Sequence, residues 1–178
     1  LLTLLPEDEK ETSPDDRPDI VIWLAESFFD PGILTSIDRC EMIPTLCEIK
    51  SRAVESTIAI PTFGGNTTRT EFEVLTGVPY ALLPLGSYPY ESAVKGNFPS
   101  LVWDLRAAGY TTHAIHPHSR SFWTRDRAYP LLGFQTFKGE HQFGTVERDG
   151  LWISDQTLAR KVIERLELPQ TEPKFVFA

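Results

Sequence analysis

The chain has 178 residues, of which 41% are hydrophobic and 24% are charged, and its formal net charge at pH 7 is -8. This length allows one domain with a buried core but not two, and the composition excludes a disordered chain, a collagen-like repeat and a coiled coil. Because the chain is acidic and has no run of lysine or arginine, we expect no nucleic-acid partner.

The first 18 residues have the composition of a solvated linker, with three prolines, several acidic residues and little apolar content after Leu5. We therefore divide the chain into a linker (1–18) and a folded part (19–178). No apolar stretch reaches the roughly 20 residues of a membrane-spanning helix. The chain begins without Met and without a signal-peptide pattern, so we expect it to be a piece whose targeting information lies upstream.

Two cysteines, Cys40 and Cys47, are too few for a disulfide framework, and their spacing is not C-x-x-C. We expect two small, partly buried side chains, which leave the redox compartment open.

The predicted elements alternate between strands and helices along the chain. Asp19–Glu26 is a short, β-branched, apolar run between acidic ends, which is typical of a parallel strand buried on both faces. Ser56–Ile60 is a second candidate strand, and after a glycine-containing loop a helix starts near Thr67 or Thr68 and stops at Gly77.

The remaining predicted elements are a helix capped by Ser100 (101–108), a strand (111–116), short helices and loops (118–150), an amphipathic helix (155–166) and a strand (174–178). Strands that alternate with helices indicate parallel crossovers. The predicted fold is therefore α/β, with a mainly parallel sheet flanked by helices on both faces.

In such a sheet, ligands bind beyond the carboxyl ends of the strands. Glu26 follows an apolar strand, where an ionised carboxylate needs a cation or another partner. A divalent cation would satisfy it, and so would a helix N-terminus or an arginine.

Thr67 follows the loop Gly64-Gly65-Asn66, whose glycines allow a ligand to approach the backbone closely. A hydroxyl at a helix N-terminus lies beside N–H groups and a dipole end that favour an anion such as phosphate. Threonine is equally common as a helix cap, and Gly-Gly as a turn.

His116 and His118 alternate along a predicted strand and could face the same side, where they could bind a metal or donate to an oxyanion. Without a third ligand, a zinc site is weakly indicated. The following segment contains Trp123 and Arg125, which suit a phosphate and a polyol, or an arginine stacked on tryptophan and paired with an acid.

These segments resemble the lipoteichoic acid synthase and phosphoglycerol transferase branch of the sulfatase-like, alkaline phosphatase superfamily. The resemblance spans residues 19–178 and depends on three blocks: Ile22-Trp-Leu-Ala-Glu-Ser-Phe28, Phe63-Gly-Gly-Asn-Thr-Thr-Arg-Thr-Glu-Phe-Glu-Val-Leu-Thr-Gly77 and the block from His116 to Asp126, with Leu132-Gly-Phe134 behind it. It implies an alkaline-phosphatase-like fold, of which residues 19–178 are the N-terminal part.

The resemblance also implies roles for individual residues. Glu26 matches the first metal-binding carboxylate, and Thr67 matches the threonine that contacts the metal and attacks phosphorus. The positions that hold the glycerol-phosphate head group are His116, Trp123 and Arg125, with His118 at a position where an acidic or polar residue is more usual.

The same resemblance implies one divalent metal ion, Mn²⁺, whose remaining ligands are an Asp-His pair and a further His later in the chain. This sequence contains no Asp-His pair, so the piece alone is expected to bind metal weakly and not to turn over. The implied reaction is transfer of phosphoglycerol from phosphatidylglycerol, through a threonine-bound intermediate, to a glycan or glycerol-phosphate acceptor. The implied location is the extracytoplasmic face of the bacterial membrane, on a membrane-anchored parent protein.

Other functions remain open at this point. A true sulfatase needs a C/S-x-P-x-R context, which neither the Cys40 segment nor the Thr67 loop provides. A phosphoethanolamine transferase would share the nucleophile and the metal, and a phosphodiesterase would differ only in its acceptor. A binding module without catalytic activity is the remaining alternative.

Overall fold

The structure is a computed structural model that describes residues 17–25, 28–34, 36–60 and 66–178. Most of the predicted linker lies outside these residues, and so does Glu26. In chain order the strands are β1 (Ile20–Ile22), β2 (Thr111–Ile115), β3 (Thr136–Lys138), β4 (Arg148–Asp149), β5 (Trp152–Ile153) and β6 (Lys174–Phe177). The helices are α1 (Arg39–Met42), α2 (Pro44–Lys50), α3 (Thr67–Thr76), α4 (Pro89–Ser92), α5 (Leu101–Ala107), α6 (Arg125–Leu131) and α7 (Asp155–Leu166), and the 3₁₀ turns are Pro31–Ile33, Tyr80–Leu82, Phe122–Thr124 and Glu140–Gln142.

Four strands form a parallel sheet in the order β1-β6-β2-β3. Strand β6 therefore lies between β1 and β2. Val176 of β6 pairs with Val21 of β1 on one side and with His113 of β2 on the other. The fold class predicted from the sequence is confirmed. A separate antiparallel hairpin joins β4 to β5.

Successive side chains of a strand point to opposite sides of the sheet. The inner strand β6 therefore contributes to two packed layers, one on each face. In β6, Phe175 and Phe177 pack into a core with α3, α5 and α6, whereas Val176 packs on the other face against α7. Burial on both faces holds for β2 and β6 and explains their apolar runs. It does not hold for β1, which ends the row of described strands, is shorter than the predicted run and leaves Val21 41% exposed.

Helix α3 begins and ends at residues with positive φ. Asn66 precedes it with φ of 71°, and Gly77 ends it with φ of 67°, donating its N–H to the Glu73 carbonyl at 2.8 Å. Glycine takes this conformation without a steric penalty, which explains the stop predicted there. The predicted helix start at Thr67 is confirmed.

Two other helices begin at serine caps, of which Ser100 was predicted from the sequence. The Ser100 hydroxyl accepts from the Trp103 N–H at the start of α5, and α7 has the predicted bounds, with Ser154 as its cap. No helix among the described residues is long and apolar enough to cross a membrane.

Two predictions for residues 40–60 are wrong. Cys40 and Cys47 form a disulfide with Cα atoms 5.5 Å apart, because a bend at Ile43 folds α2 back on α1. Ser56–Ile60 is not a strand. Its side chains are exposed and no described strand lies beside it, so its β-branched residues have no sheet to join.

The segment between β1 and α3 contains an ion-pair cluster around Asp30. This carboxylate accepts from Arg39 at 2.7 Å, from Lys50 at 2.8 Å and from the Gly32 N–H at 2.9 Å. The hydrogen bond from Lys50 lowers the pKa of Asp30 to about 2. Together with the disulfide, this cluster holds the two short helices together.

Candidate active site

A cleft of about 630 Å³ lies at the carboxyl ends of the strands. Leu24 and Ala25 enter it after β1, His116 after β2 and Ala178 after β6. Its full lining is Trp23, Leu24, Ala25, Phe28, Phe29, Thr67, Glu71, His116, Pro117, Asp155, Leu158, Phe177 and Ala178. This is the edge of a parallel sheet where ligands bind.

Thr67 is the first residue of α3 and lines the cleft. The first N–H groups of a helix have no acceptor within the helix, and the dipole makes this end positive. An anionic group in the cleft would therefore meet the Thr67 hydroxyl and the start of α3 together. The two chain neighbours of Thr67 are in other environments. Asn66 has a left-handed backbone conformation, and the Thr68 side chain is buried.

Glu71 lies one helical turn after Thr67 and forms a buried ion pair with Arg125 of α6. The guanidinium donates to Glu71 through Nη2 at 2.5 Å and Nε at 3.1 Å, and the side chains are 2% and 1% exposed. Tyr90 and Tyr129 each donate a hydroxyl to Glu71 Oε2 at 3.0 Å. The four side chains form a closed polar network beneath the cleft.

The charges of this network are set by its geometry. Burial alone would raise the pKa of Glu71, but the charge and hydrogen bonds of Arg125 outweigh it and hold that pKa below its ordinary value. Burial, with the Glu71 charge next, raises the pKa of both tyrosines well above 10. Glu71 is therefore ionised and the tyrosines are neutral donors at neutral pH.

His116 follows β2 and lines the cleft with Thr67. Its Nδ1 accepts the His118 backbone N–H at 3.2 Å, which leaves Nε2 as the protonated nitrogen of the neutral ring. Burial, and then the charge of Arg125, lowers the pKa of His116 to about 4. At neutral pH the ring is therefore an uncharged hydrogen-bond donor.

His118 and Trp123 do not line the cleft. His118 stacks on Phe122 with ring centroids 4.3 Å apart, and Trp123 contacts Tyr88 at 4.7 Å. The structure thus brings Thr67 and His116 together and places His118 and Trp123 on an aromatic surface beyond them.

Arg125 lies inside the protein, with its guanidinium paired to Glu71 and donating to the Phe122 carbonyl at 3.1 Å. The sequence left two alternatives open for Arg125: binding a phosphate, or stacking on tryptophan and pairing with an acid. In the structure Arg125 is paired with an acid, Glu71. The role predicted for Arg125, holding the head group, would require its guanidinium to reach past this pair.

The residues before Arg125 have an unusual backbone. Trp123 and Thr124 have φ of 58° and 55°, which L-residues adopt rarely and β-branched threonine especially rarely. The Thr124 hydroxyl is buried and has no hydrogen-bond partner among the described residues. Strained backbone of this kind concentrates at functional sites.

The sequence predicts one divalent metal ion with Glu26 and Thr67 among its ligands. Within the described ranges no three His, Cys, Asp or Glu side chains cluster as metal ligands would. Of the two predicted ligands, Thr67 lies in the cleft, and Glu26 lies outside the described residues although its neighbour Ala25 lines the same cleft. A carboxylate and a hydroxyl are hard oxygen donors that suit Mg²⁺ or Mn²⁺, so the Thr67 hydroxyl in the cleft is chemically suited to such an ion.

Sequence reasoning missed two acidic residues of the cleft. The sequence patterns indicate Glu71 only as part of a helix and Asp155 only as the start of another. A usable signal for Glu71 was its place one turn after the candidate nucleophile, on the helix face that α3 buries. Its partner Arg125 is 54 residues away and could not be paired with it from the sequence.

A parallel sheet with helices on both faces, and a threonine-bearing helix N-terminus at its carboxyl edge, defines an α/β protein of the alkaline-phosphatase-like fold. The chain belongs to the Sulfatase family, whose model matches residues 18–178.

Two curated relatives come from Rhizobium meliloti (strain 1021). The capsular polysaccharide biosynthesis protein RkpI is 40% identical over 169 residues, which are 92% of this chain and 31% of RkpI. A protein named for cyclic beta-1,2-glucan modification is 36% identical over 163 residues, which are 91% of this chain and 25% of that protein. The chain therefore spans about a third or less of each relative.

Two solved structures are similar to the fold. The Streptococcus pyogenes phosphoglycerol transferase GacH, in complex with sn-glycerol-1-phosphate, is 25% identical with a TM-score of 0.72, over 92% of this chain and 44% of GacH. The lipoteichoic acid synthase LtaP from Listeria monocytogenes is 25% identical with a TM-score of 0.53, over 64% of this chain and 28% of LtaP. Both confirm the family resemblance drawn from the sequence.

Proposed function

We propose that this chain carries the nucleophile of an enzyme that transfers phosphoglycerol from phosphatidylglycerol to a hydroxyl of a glycan outside the cytoplasm. The observation that carries the proposal is the position of Thr67, at the N-terminus of α3 and in the same cleft as His116. The similarity to GacH over 92% of the chain supports it.

Thr67 is the proposed nucleophile because its hydroxyl belongs to the residue that begins α3. A phosphoryl group that enters the cleft lies against the positive end of the helix, which favours its negative charge both before and during attack. The turn at Asn66 fixes where the helix begins, and the Glu71 network one turn later fixes the helix against α6.

His116 is proposed to hold the phosphoryl or glycerol oxygens. As a neutral ring with a protonated Nε2, it can donate a hydrogen bond without neutralising a nearby carboxylate. His118, Trp123 and Arg125 remain predicted head-group positions. The cleft position of His116 makes it the member of that set best placed beside Thr67.

The proposed transfer has two steps. In the first, the Thr67 oxygen forms a bond to phosphorus, the bond from phosphorus to the diacylglycerol oxygen breaks, and the proton lost by Thr67 is the one that diacylglycerol gains. In the second, the acceptor oxygen forms a bond to phosphorus, the bond from phosphorus to the Thr67 oxygen breaks, and the proton that the acceptor hydroxyl loses is the one that Thr67 regains. A divalent cation, which we propose to be Mn²⁺ with Glu26 and Thr67 among its ligands, would lower the pKa of the hydroxyl and neutralise phosphoryl charge.

The acceptor is proposed to be a glycan because both curated relatives carry names that concern polysaccharides or glucans. We propose the outer face of the bacterial membrane as the location and a membrane-anchored parent protein, as the family resemblance implies.

The test uses the domain extended to the length of its relatives, incubated with Mn²⁺ and a fluorescent phosphatidylglycerol. We expect metal-dependent release of diacylglycerol that Thr67→Ala abolishes. Thr76→Ala is the matched control, because Thr76 lies on the same helix at its far end and bonds to the Phe72 carbonyl. This control should retain release.

Each other outcome contradicts part of the proposal. Release that persists in Thr67→Ala would move the nucleophile elsewhere. Release from phosphatidylethanolamine but not from phosphatidylglycerol would change the head group. Release to water that no glycan acceptor diverts would indicate a phosphodiesterase.

A further inference from the structure

We propose that Asp155 is a specificity-determining residue of the cleft, where its carboxylate accepts hydrogen bonds from neighbouring hydroxyl groups of the ligand; this inference rests on the proposed function. Such hydroxyls occur on the glycerol head group of the lipid donor and on the sugars of a glycan acceptor. Asp155 is the first residue of α7 and lines the same cleft as Thr67 and His116. The two-step transfer proposed above gives it no role.

Two carboxylates line the cleft, and only one of them is available to a ligand. Both Glu71 oxygens already accept hydrogen bonds from buried side chains, and Glu71 is 2% exposed. Asp155 is exposed, and within the described ranges its carboxylate has neither a hydrogen bond nor an ion pair. A carboxylate group can accept about four hydrogen bonds. Asp155 therefore offers the cleft an acceptor that the protein itself does not use.

The fold holds the backbone of Asp155 in a fixed position. The residue before it, Ser154, is buried, accepts the Thr157 N–H at 3.2 Å and donates its hydroxyl to Thr157 Oγ1 at 3.0 Å. One turn later, Leu158 lies in the same buried cluster as Val176 of β6. Because α7 is capped and packed before a ligand binds, little entropy is lost when a ligand meets its first residue.

His116 provides the complementary hydrogen-bonding group in the cleft. Its neutral ring donates through Nε2, whereas the Asp155 carboxylate only accepts. A hydroxyl group both donates and accepts, so two neighbouring hydroxyls of one ligand can satisfy both residues. The oxygens of an ionised phosphate only accept, and they cannot satisfy Asp155. The pair of residues therefore selects a ligand with hydroxyl groups.

The two helices that begin at the cleft favour different parts of such a ligand. Helix α3 begins with the Thr67 hydroxyl, and α7 begins with the Asp155 carboxylate. The negative charge of Asp155 repels a phosphoryl group, which leaves the start of α3 as the favoured end for phosphorus. We therefore expect the hydroxyl-bearing end of the ligand beside α7 and the phosphoryl end beside the proposed nucleophile.

The test measures by calorimetry how the full-length protein, with Mn²⁺ present, binds two probes. They are sn-glycerol-1-phosphate and n-propyl phosphate, which lacks both hydroxyls. We expect the unmodified protein to prefer glycerol phosphate about tenfold, because hydrogen bonds to a charged group are strong. Asp155→Ala should abolish this preference by weakening the binding of glycerol phosphate alone. Asp155→Asn keeps one acceptor oxygen and should retain part of the preference.

Asp104→Ala is the matched control. Asp104 is also an exposed acid in the first turn of a serine-capped helix, α5, but it does not line the cleft. Asp104→Ala and Asp155→Ala each remove an acid from the positive end of a helix. A purely structural role would therefore affect the two variants alike, and only a role in the cleft changes the ratio of the two affinities.

A second probe, a gluco-oligosaccharide measured in the same way, separates the two sources of the hydroxyls. A fall in the preference for glycerol phosphate in Asp155→Ala assigns the carboxylate to the head group. If instead only the affinity for the oligosaccharide falls, by about tenfold, the carboxylate binds the acceptor. If Asp155→Ala changes neither quantity, the inference is wrong.

Diacylglycerol release from phosphatidylglycerol is measured in parallel, so that the two proposals can fail separately. Release that depends on Thr67, with no effect of Asp155→Ala on either probe, would leave the proposed function standing and reject the role of Asp155. A loss of selectivity in Asp155→Ala without any release by the unmodified protein would reject the proposed function and leave the hydroxyl-binding role of Asp155 standing.

Discussion

Glu71 and Arg125, which are 54 residues apart, form a two-point ion pair that joins the helix carrying Thr67 to the helix that follows Trp123. The residues that precede these helices, Asn66 and Thr124, both have positive φ. The ion pair therefore joins two helices that each follow an energetically unfavourable backbone conformation. This buried contact therefore helps to set the position of α3, and with it Thr67, relative to α6.

Glu71→Gln should destabilise the protein strongly, because the charge of Arg125 would remain buried without its partner. We expect the free energy of unfolding to fall by about 3–5 kcal/mol at pH 7, measured by chemical denaturation. Glu48→Gln is the control, since Glu48 pairs with Arg52 on the surface and its loss should cost less than about 1 kcal/mol. A combined Glu71→Gln and Arg125→Met variant should recover part of the loss. Equal effects of Glu71→Gln and Glu48→Gln would contradict the argument.

Stability should fall as the pH drops from 6.5 toward 4, in part through His113. Its Nε2 accepts from Arg165 at 2.5 Å and its Nδ1 bonds to Thr136 at 2.7 Å. Burial, and then the charges of Arg165 and Lys174, lowers its pKa to about 4. The unfolded chain takes up the proton first as the pH falls below 6.5, so stability is lost until the folded pKa is reached.

The expected contribution of His113 is about 1–2 kcal/mol between pH 6.5 and pH 5. His113→Gln should flatten this part of the stability profile, measured by denaturation at several pH values. His141→Gln, at an exposed position, should leave the profile unchanged. An unchanged slope in His113→Gln would show that His113 is not the group responsible.

Thr124→Gly should not destabilise the protein and is expected to stabilise it by about 1 kcal/mol. Glycine removes the strain of a β-branched residue at φ of 55°, and the lost hydroxyl has no partner among the described residues. The matched control is Thr112→Gly, because Thr112 is buried in β2 and donates to the Gly133 carbonyl at 2.9 Å. This control should be clearly destabilised, and a similar loss in both variants would contradict the assignment of strain to Thr124.

The Cys40–Cys47 disulfide should protect the two short helices rather than the sheet. A short cross-linked loop contributes about 2 kcal/mol. Cys40→Ser with Cys47→Ser should therefore speed proteolytic cleavage within residues 39–50 and leave the sheet protected, as measured by limited proteolysis with mass spectrometry. Thiol titration of the denatured, unreduced protein should find neither cysteine reactive. Two reactive thiols would mean that the bond does not form.

Local patterns were enough to predict the main elements. The apolar runs at β1, β2 and β6, the cap at Ser100 and the stop at Gly77 depend on neighbouring residues, so the sequence displays them directly. Ser56–Ile60 shows the limit of such patterns, because its β-branched residues favour a strand only where a neighbouring strand exists. The bend at Ile43 that brings the two cysteines together left no comparable signal.

The sequence predicted individual residues of the candidate site but not the contacts between distant residues that surround them. Thr67 and His116 each follow a recognisable local element, and both lie at the predicted edge of the sheet. The Glu71–Arg125 pair and the ring contact of Tyr88 with Trp123 join residues far apart in the chain. Such contacts depend on the packing of whole helices, which local periodicity does not encode.

The position of β6 in the middle of the sheet also has a consequence for synthesis. Asp19, beside β1, accepts a hydrogen bond from the Lys174 N–H, which is 155 residues later. At the usual speed of translation, β1 waits about 8–30 s before its partner strand exists. Its apolar run must stay unpaired for that time, so a factor that shields nascent chains should raise the yield of this protein more than that of a protein whose paired strands are close in the chain.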